Sequence, residues 1–212
     1  MERWVLLRKG ADFEAIGKKY QISPRLACLI RNRDVIGEEA IERYLNGTIS
    51  DLYDGMLMKD ADKAIDILKE KIAEEKKIRV IGDYDIDGVN ATYILLEGLE
   101  RLGAYVDSDI PDRIGDGYGL NRHLIDRAYD AGIDTIITCD NGIAAANEIA
   151  YGKELGMTII VTDHHEIPFD EIDGEKIYRL PPADAVIDPK QKDCVYPFKG
   201  LCGAAVAYKL ME

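Results

Sequence analysis

Residues 78–91 read IRVIGDYDIDGVNA. Residues 78–82 form a short β-rich run, and a helical pattern takes over from 89. Between them stand Asp83, Asp85 and Asp87 at alternate positions, followed by Gly88. Three carboxylates this close repel one another unless something positive joins them. The stretch can be a calcium loop, a solvated helix-capping turn, or one wall of a metal-dependent site. An EF-hand loop needs a bidentate Glu at its twelfth position and a helix in front of it. Counting from Asp83, the twelfth position is Ile94, and the segment in front is a strand. The calcium loop is therefore set aside. A capping turn accounts for one Asp at a strand–helix junction, not for three together with the acids that follow later in the chain.

The same alternation continues downstream. β-rich runs lie at 78–82, 104–110, 134–139, 157–162 and 184–188, with helical patterns at 89–102, 121–131, 143–155 and 202–212. Strands alternating with 10–15-residue helices predict an α/β fold: a mostly parallel sheet with right-handed crossovers, flanked by helices. Upstream, residues 1–76 read as a helical N-terminal extension, with helices at 11–20, 23–33, 37–46 and 60–76. Residues 77–212 read as the α/β domain.

In an open parallel sheet the functional crevice lies beyond the carboxyl ends of the strands. After the first strand comes GDYDIDG, after the third Asp140-Asn141-Gly142, and after the fourth Asp163-His164-His165-Glu166. Three loops thus deliver acids or histidines to one sheet edge. Mixed carboxylate and imidazole donors suit Mn²⁺, or Mg²⁺ and its relatives, rather than thiolate zinc. One acid between two others can bridge two ions about 3.5–4 Å apart, as in two-metal phosphoryl hydrolases.

Charge and composition narrow the class. Net charge is −13 over 212 residues. Residues 1–77 balance 15 basic against 15 acidic side chains, and residues 78–212 hold 12 against 25. An acidic second part argues against broad electrostatic binding of nucleic acid, although a carboxylate cluster becomes less acidic once it holds metal. No apolar run approaches the roughly 20 residues that span a bilayer, so no membrane association is expected. Cys28, Cys139, Cys194 and Cys202 form no CxxC pair, and reduced thiols in a cytoplasmic protein are the expectation.

GDYDIDGVNA, TCDNG and VTDHH resemble the successive motifs of the DHH phosphoesterase superfamily, which is named for the run Asp163-His164-His165. IPDRIGDGYGLN at 110–121, YPFKGLCGAAVAYKL at 196–210 and the helical extension resemble the RecJ-type branch of 5′→3′ exonucleases specific for single strands. The resemblance implies hydrolysis of single-stranded DNA with two divalent ions, Mn²⁺ or Mg²⁺, in repair or recombination. It implies metal ligation by Asp83, Asp85, Asp87, Asp140 and His164, with Asp140 as the bridge. His165 would contact the scissile phosphate, and Asp163 would orient its loop or a histidine. Single-strand-binding or helicase proteins are implied partners. The alternatives are a DHH phosphodiesterase acting on short oligonucleotides or cyclic dinucleotides, and a non-catalytic nucleic-acid-binding relative. The family carries a further metal-binding aspartate and a DHH-associated clamp domain downstream. The chain ends on GLCGAAVAYKLME, inside a growing helix. It is therefore expected to be a truncated piece that binds the second ion poorly and has weak activity or none.

Arg113, Gly117, Gly119 and Asn141 are the remaining candidate substrate contacts. A salt bridge at Arg113 and a plain turn at the glycines are the competing readings. Cys139 is expected to be a buried strand-end thiol rather than a nucleophile, and His123 a surface residue. Asp188 is expected to sit in the turn before Pro189. Arg3, Arg8, Lys9, Lys18, Lys19, Arg25, Arg31 and Arg33 either guide DNA or line solvated helix faces.

Overall fold

The computed structural model describes residues 9–112, 115, 117, 119–172 and 174–212. Contacts divide the chain into two units, Met1–Leu52 and Tyr53–Glu212.

The first unit holds α1 (Phe13–Tyr20), α2 (Pro24–Asn32) and α3 (Glu38–Asn46). The Asp12 side chain caps α1 by accepting from the Ala15 amide at 2.9 Å. Ser23 caps α2, and Pro24 takes the first helical position, where no amide hydrogen is needed. The small core contains Ala27, Ile30 and Ile41. Lys9 and Arg31 pair with Asp34, and Lys19 with Glu38. Arg3 and Arg8 lie outside the described residues.

The second unit runs α4 (Ala61–Ala73), β1 (Lys77–Ile81), α5 (Ile86–Arg101), β2 (Tyr105–Asp109), α6 (Arg122–Asp130), β3 (Thr135–Cys139), α7 (Ala146–Glu154), β4 (Thr158–Thr162), β5 (Phe169–Ile172), β6 (Glu175–Tyr178), β7 (Ala185–Ile187) and α8 (Gly203–Met211). The main sheet has the order β2-β1-β3-β4-β7, and every neighbouring pair is parallel. The fold class expected from the alternating pattern is therefore the one observed. α4 packs on β7 within this unit, since Ala61, Ala64 and Leu68 belong to the same buried cluster as the sheet residues.

Side chains alternate across the strands, as a period of two requires. Ile78, Val80, Ile137, Cys139, Ile160, Ala185 and Ile187 join the buried residues of α4, α5 and α8 on one face. Ile81, Ile136, Ile159, Val161 and Val186 meet α6 and α7 on the other. Strands covered on both faces read as near-continuous Ile/Val runs, and those runs made them visible in the sequence. Arg79 faces Asp107 in register on β2 and binds it with two hydrogen bonds of 2.7 and 2.6 Å. The open edge of β7 is blunted by side chains: Asp60 Oδ2 accepts from the Val186 amide, and Gln191 Nε2 donates to the Val186 carbonyl.

Helices α5, α6 and α7 end alike. Gly103, Gly132 and Gly156 adopt φ near +83°, +70° and +83°. The following amides of Ala104, Ile133 and Met157 reach back five residues to a helix carbonyl. This left-handed cap turns each chain end directly toward the next strand. Several elements differ from expectation, α4 and α7 being shorter than the patterns at 60–76 and 143–155. Helix α5 begins at Ile86 rather than 89, because the Asp85 side chain caps it from in front. The β5–β6 hairpin, a separate antiparallel pair, was not expected. Its signal is Asp173-Gly174 between β-prone residues, and Gly174 takes φ +81°.

Candidate metal centre

The strand order reverses between β1 and β3, and there the carboxyl ends open a crevice. Asp83 follows β1 and is fully buried. Neither of its carboxylate oxygens accepts a well-formed hydrogen bond among the described residues. Burial raises its pKa, opposed by the nearby Tyr84 amide. Asp85 caps α5 with one oxygen, which accepts from the Asp87 and Gly88 amides at 2.8 and 2.9 Å.

Asp87 lies in the first turn of α5. Its two oxygens accept from the Gly203 and Ala204 amides at 2.7 and 2.8 Å, at the N-terminus of α8. Burial opposes its ionisation. Those amides, the Cys202 thiol and His164 outweigh burial and hold its carboxyl below the usual range.

Asp140 directly follows β3 and takes φ +59°. Burial, then the charges of Asp87 and Asp85, push its pKa up to about 7. His164 Nε2 lies 2.9 Å from Asp140 Oδ1 and 3.5 Å from Asp87 Oδ2. The 2.9 Å approach lacks the alignment of a hydrogen bond, and Asp140 Oδ1 has no other partner among the described residues. Two ligand atoms converging on a common third atom have this arrangement.

Asp163 organises the histidines. Its Oδ1 accepts from the His164 and His165 amides at 2.7 and 3.2 Å and lies 2.7 Å from His165 Nδ1. Its Oδ2 accepts from the Ile143 amide. The bond to Asp163 raises the His165 pKa.

Two groups of ligand atoms result, each with all atoms within 4.8 Å of one another: Asp83, Asp85 and Asp140, and Asp140, His164 and His165. Asp140 belongs to both. Buried, unpartnered carboxylate oxygens beside imidazole nitrogens fit hard divalent ions of the Mn²⁺ and Mg²⁺ type.

The other expected residues separate. Arg113 lies outside the described residues. Gly119 lines a cleft of about 350 Å³ beside Asp163 and His165, whereas Gly117 is exposed. Asn141, an expected substrate contact, is turned inward instead: it is 3% exposed, and its amide nitrogen donates to two main-chain carbonyls. Cys139 is buried, and burial pushes its thiol up to about 12, which excludes a thiolate nucleophile. His123 is exposed.

Sequence reasoning undervalued two features. Asp188 follows β7 on the same edge, is fully buried, and burial pushes its pKa up to about 7. The expected turn is present, with Asp188 Oδ1 accepting from the Lys190 amide at 2.7 Å, but the strand-end rule that marks Asp140 marks Asp188 too. The N-terminus of α8 carries no local signal, because its contact with Asp87 spans 116 residues.

The sequence profile of the DHH family, N-terminal domain, matches residues 77–212. The chain belongs to the DHH family. Its relatives include the single-stranded-DNA-specific exonuclease RecJ of Bacillus subtilis, 40% identical over 98% of this chain and 25% of that protein. The Escherichia coli protein of the same name is 33% identical over 100% of this chain and 34% of its own length. The chain thus spans about a quarter to a third of these relatives. A crystal structure of exonuclease RecJ bound to manganese superposes with a TM-score of 0.62 at 34% identity, covering 73% of this chain and 37% of that one. RecJ of Thermus thermophilus in complex with Mn²⁺ gives 0.67 at 27% identity, over 99% and 28%. This DHH chain therefore shares its sheet with proteins described as nucleases.

Proposed function

We propose that this DHH chain is the catalytic part of a RecJ-type nuclease that hydrolyses phosphodiester bonds of single-stranded DNA from the 5′ end. The observation that carries the reading is Asp140, common to two converging ligand groups at the β1–β3 switch point. Similarity to RecJ proteins over nearly the whole chain supports the substrate. Asp83, Asp85 and Asp140 would hold one Mn²⁺ or Mg²⁺, and Asp87, Asp140 and His164 would take part in holding a second. Such a pair supplies an activated water and neutralises phosphate oxygens during in-line attack.

The chain's own residues do the rest. Asp163 fixes His165 through Nδ1, so His165 meets the scissile phosphate through Nε2. Its raised pKa favours the protonated ring, which stabilises negative charge building on the phosphoryl oxygens. The α8 amides keep Asp87 ionised beside His164. Gly119 flanks the path of the strand, and Arg113 is a further candidate contact from the sequence alone.

Residues 77–212 form the catalytic domain in this reading, and 1–76 a helical extension. No helix among the described residues is long and apolar enough to cross a membrane, and we place the enzyme in the cytoplasm. Single-strand-binding or helicase proteins are its proposed protein partners.

The test uses 5′- and 3′-labelled single strands with Mn²⁺ or Mg²⁺ and the intact protein. Nucleotides should be released from the 5′ end. Asp140→Ala should lower the rate about 10²–10³-fold or more, the scale on which losing one charge stabiliser acts. Full activity in Asp140→Ala would overturn the two-ion assignment.

A further inference from the structure

Asn141 adjoins the residue on which the metal reading turns, and its side-chain nitrogen is fully engaged. Nδ2 donates to the Cys139 carbonyl at 3.0 Å and to the Ile81 carbonyl at 3.3 Å. Two carbonyls at one end of the amide settle which end is nitrogen, since an oxygen there would face two lone pairs. Both acceptors are the last residues of neighbouring strands, β3 and β1. The Asn141 carbonyl in turn accepts from Thr138 Oγ1 at 2.9 Å. The amide therefore staples the two strands together where the sheet order reverses.

Between the stapled residues Cys139 and Asn141 sits Asp140 in a left-handed conformation. Among the described residues, Gln21, Asp34, Asp60 and Glu75 also adopt positive φ, but Asp140 alone of these five is buried. Such a conformation persists only where its surroundings over-determine it. Asn141 Oδ1 meanwhile is buried, with no hydrogen-bond partner among the described residues. With both amide hydrogens donated and the oxygen shielded, the carboxamide offers no polar atom to the cleft that Asn141 helps to line.

We infer that Asn141 is a positioning residue: its carboxamide ties β1 to β3 and holds Asp140 in the left-handed turn that presents its carboxylate to both ligand groups. The inference rests on the reading of Asp140 as a shared metal ligand.

Asn141→Asp is nearly isosteric but sets an oxygen against the Ile81 and Cys139 carbonyls. Asn141→Ala removes the staple without adding charge. Mn²⁺ affinity is measured by the electron paramagnetic resonance signal of the free ion, well below each variant's unfolding temperature. Both variants should bind Mn²⁺ about 10–100-fold more weakly, as when a group that orients a metal ligand is lost. With single-stranded DNA, kcat should fall while KM holds. Thr162→Val removes another buried hydrogen bond from the same edge, to the Thr138 carbonyl. It should lower thermal stability yet leave Mn²⁺ affinity within about twofold of wild type. A folded Asn141→Ala with unchanged Mn²⁺ affinity would overturn the inference while leaving the metal reading intact. So would a raised KM with kcat and Mn²⁺ affinity unchanged, which would mark a substrate contact. A wild-type protein that binds no Mn²⁺ would overturn the metal reading, and this inference with it.

Discussion

In the proposed reading, Asp140 is placed for chemistry at the expense of stability. Buried among Asp85, Asp87 and Asp163, its carboxyl has a pKa of about 7 in the folded protein without metal, against roughly 3.9 in an unfolded chain. Between these values the unfolded state ionises while the folded state keeps its proton. Stability therefore falls as pH rises from about 4 to 7. Asp188 acts in the same sense. So does His165, whose stabilising share is present below its unfolded pKa and is lost as pH rises through its raised folded one. Asp140→Asn removes the buried charge and keeps a side chain that tolerates positive φ. In metal-free protein this variant should melt at least ~5 °C above wild type at pH 7.5, at about 2–4 °C per kcal/mol for a chain of this size. The gap should shrink to roughly half at pH 5.5, since the unfolded carboxyl is already ionised there while the folded one is not. Differential scanning calorimetry at the two pH values checks this. An Asp140→Asn melting below wild type at pH 7.5 would contradict it.

At the scale of elements, the site depends on two helix N-termini meeting. α5 brings Asp85 and Asp87, and α8 meets Asp87 with its first amides. Position 203 must lack a side chain, since a Cβ there would lie 2.6–2.7 Å from the Asp140 carboxylate. Gly203→Ala should weaken Mn²⁺ binding by about 10–100-fold with near-native helix content. Calorimetric titration alongside circular dichroism reads both, and unchanged affinity would remove α8 from the account. The Ile/Val runs of β1, β3 and β4 were legible in the sequence because their signals are local. The α8 contact was not, because it joins residues 116 apart. The early start of α5 was missed for another reason. An Asp at a strand–helix junction reads equally as ligand or as cap, and Asp85 caps with one oxygen while its carboxylate lies in a ligand group.

At the scale of the molecule, topology converts scattered motifs into one place. Asp83 and Asp140 are 57 positions apart in sequence, yet β1 and β3 are neighbours in the sheet. The strand-end rule located the acids without knowledge of strand order, since any parallel sheet gathers them at one edge. It could not tell which strand-end acids would be drawn off elsewhere. Asp109 ends β2 but is held by Arg127 with two nitrogens. Asn141 lay outside its reach too, because the inward turn of its amide depends on the Ile81 carbonyl of a different strand. The central claim, that this edge is built around divalent ions with Asp140 shared, is tested most directly by anomalous diffraction from crystals grown with Mn²⁺. An anomalous peak is expected among the Asp83, Asp85 and Asp140 carboxylates and should disappear in Asp140→Ala. A peak that persists in that variant, or well-ordered carboxylates with no peak at millimolar Mn²⁺, would contradict it.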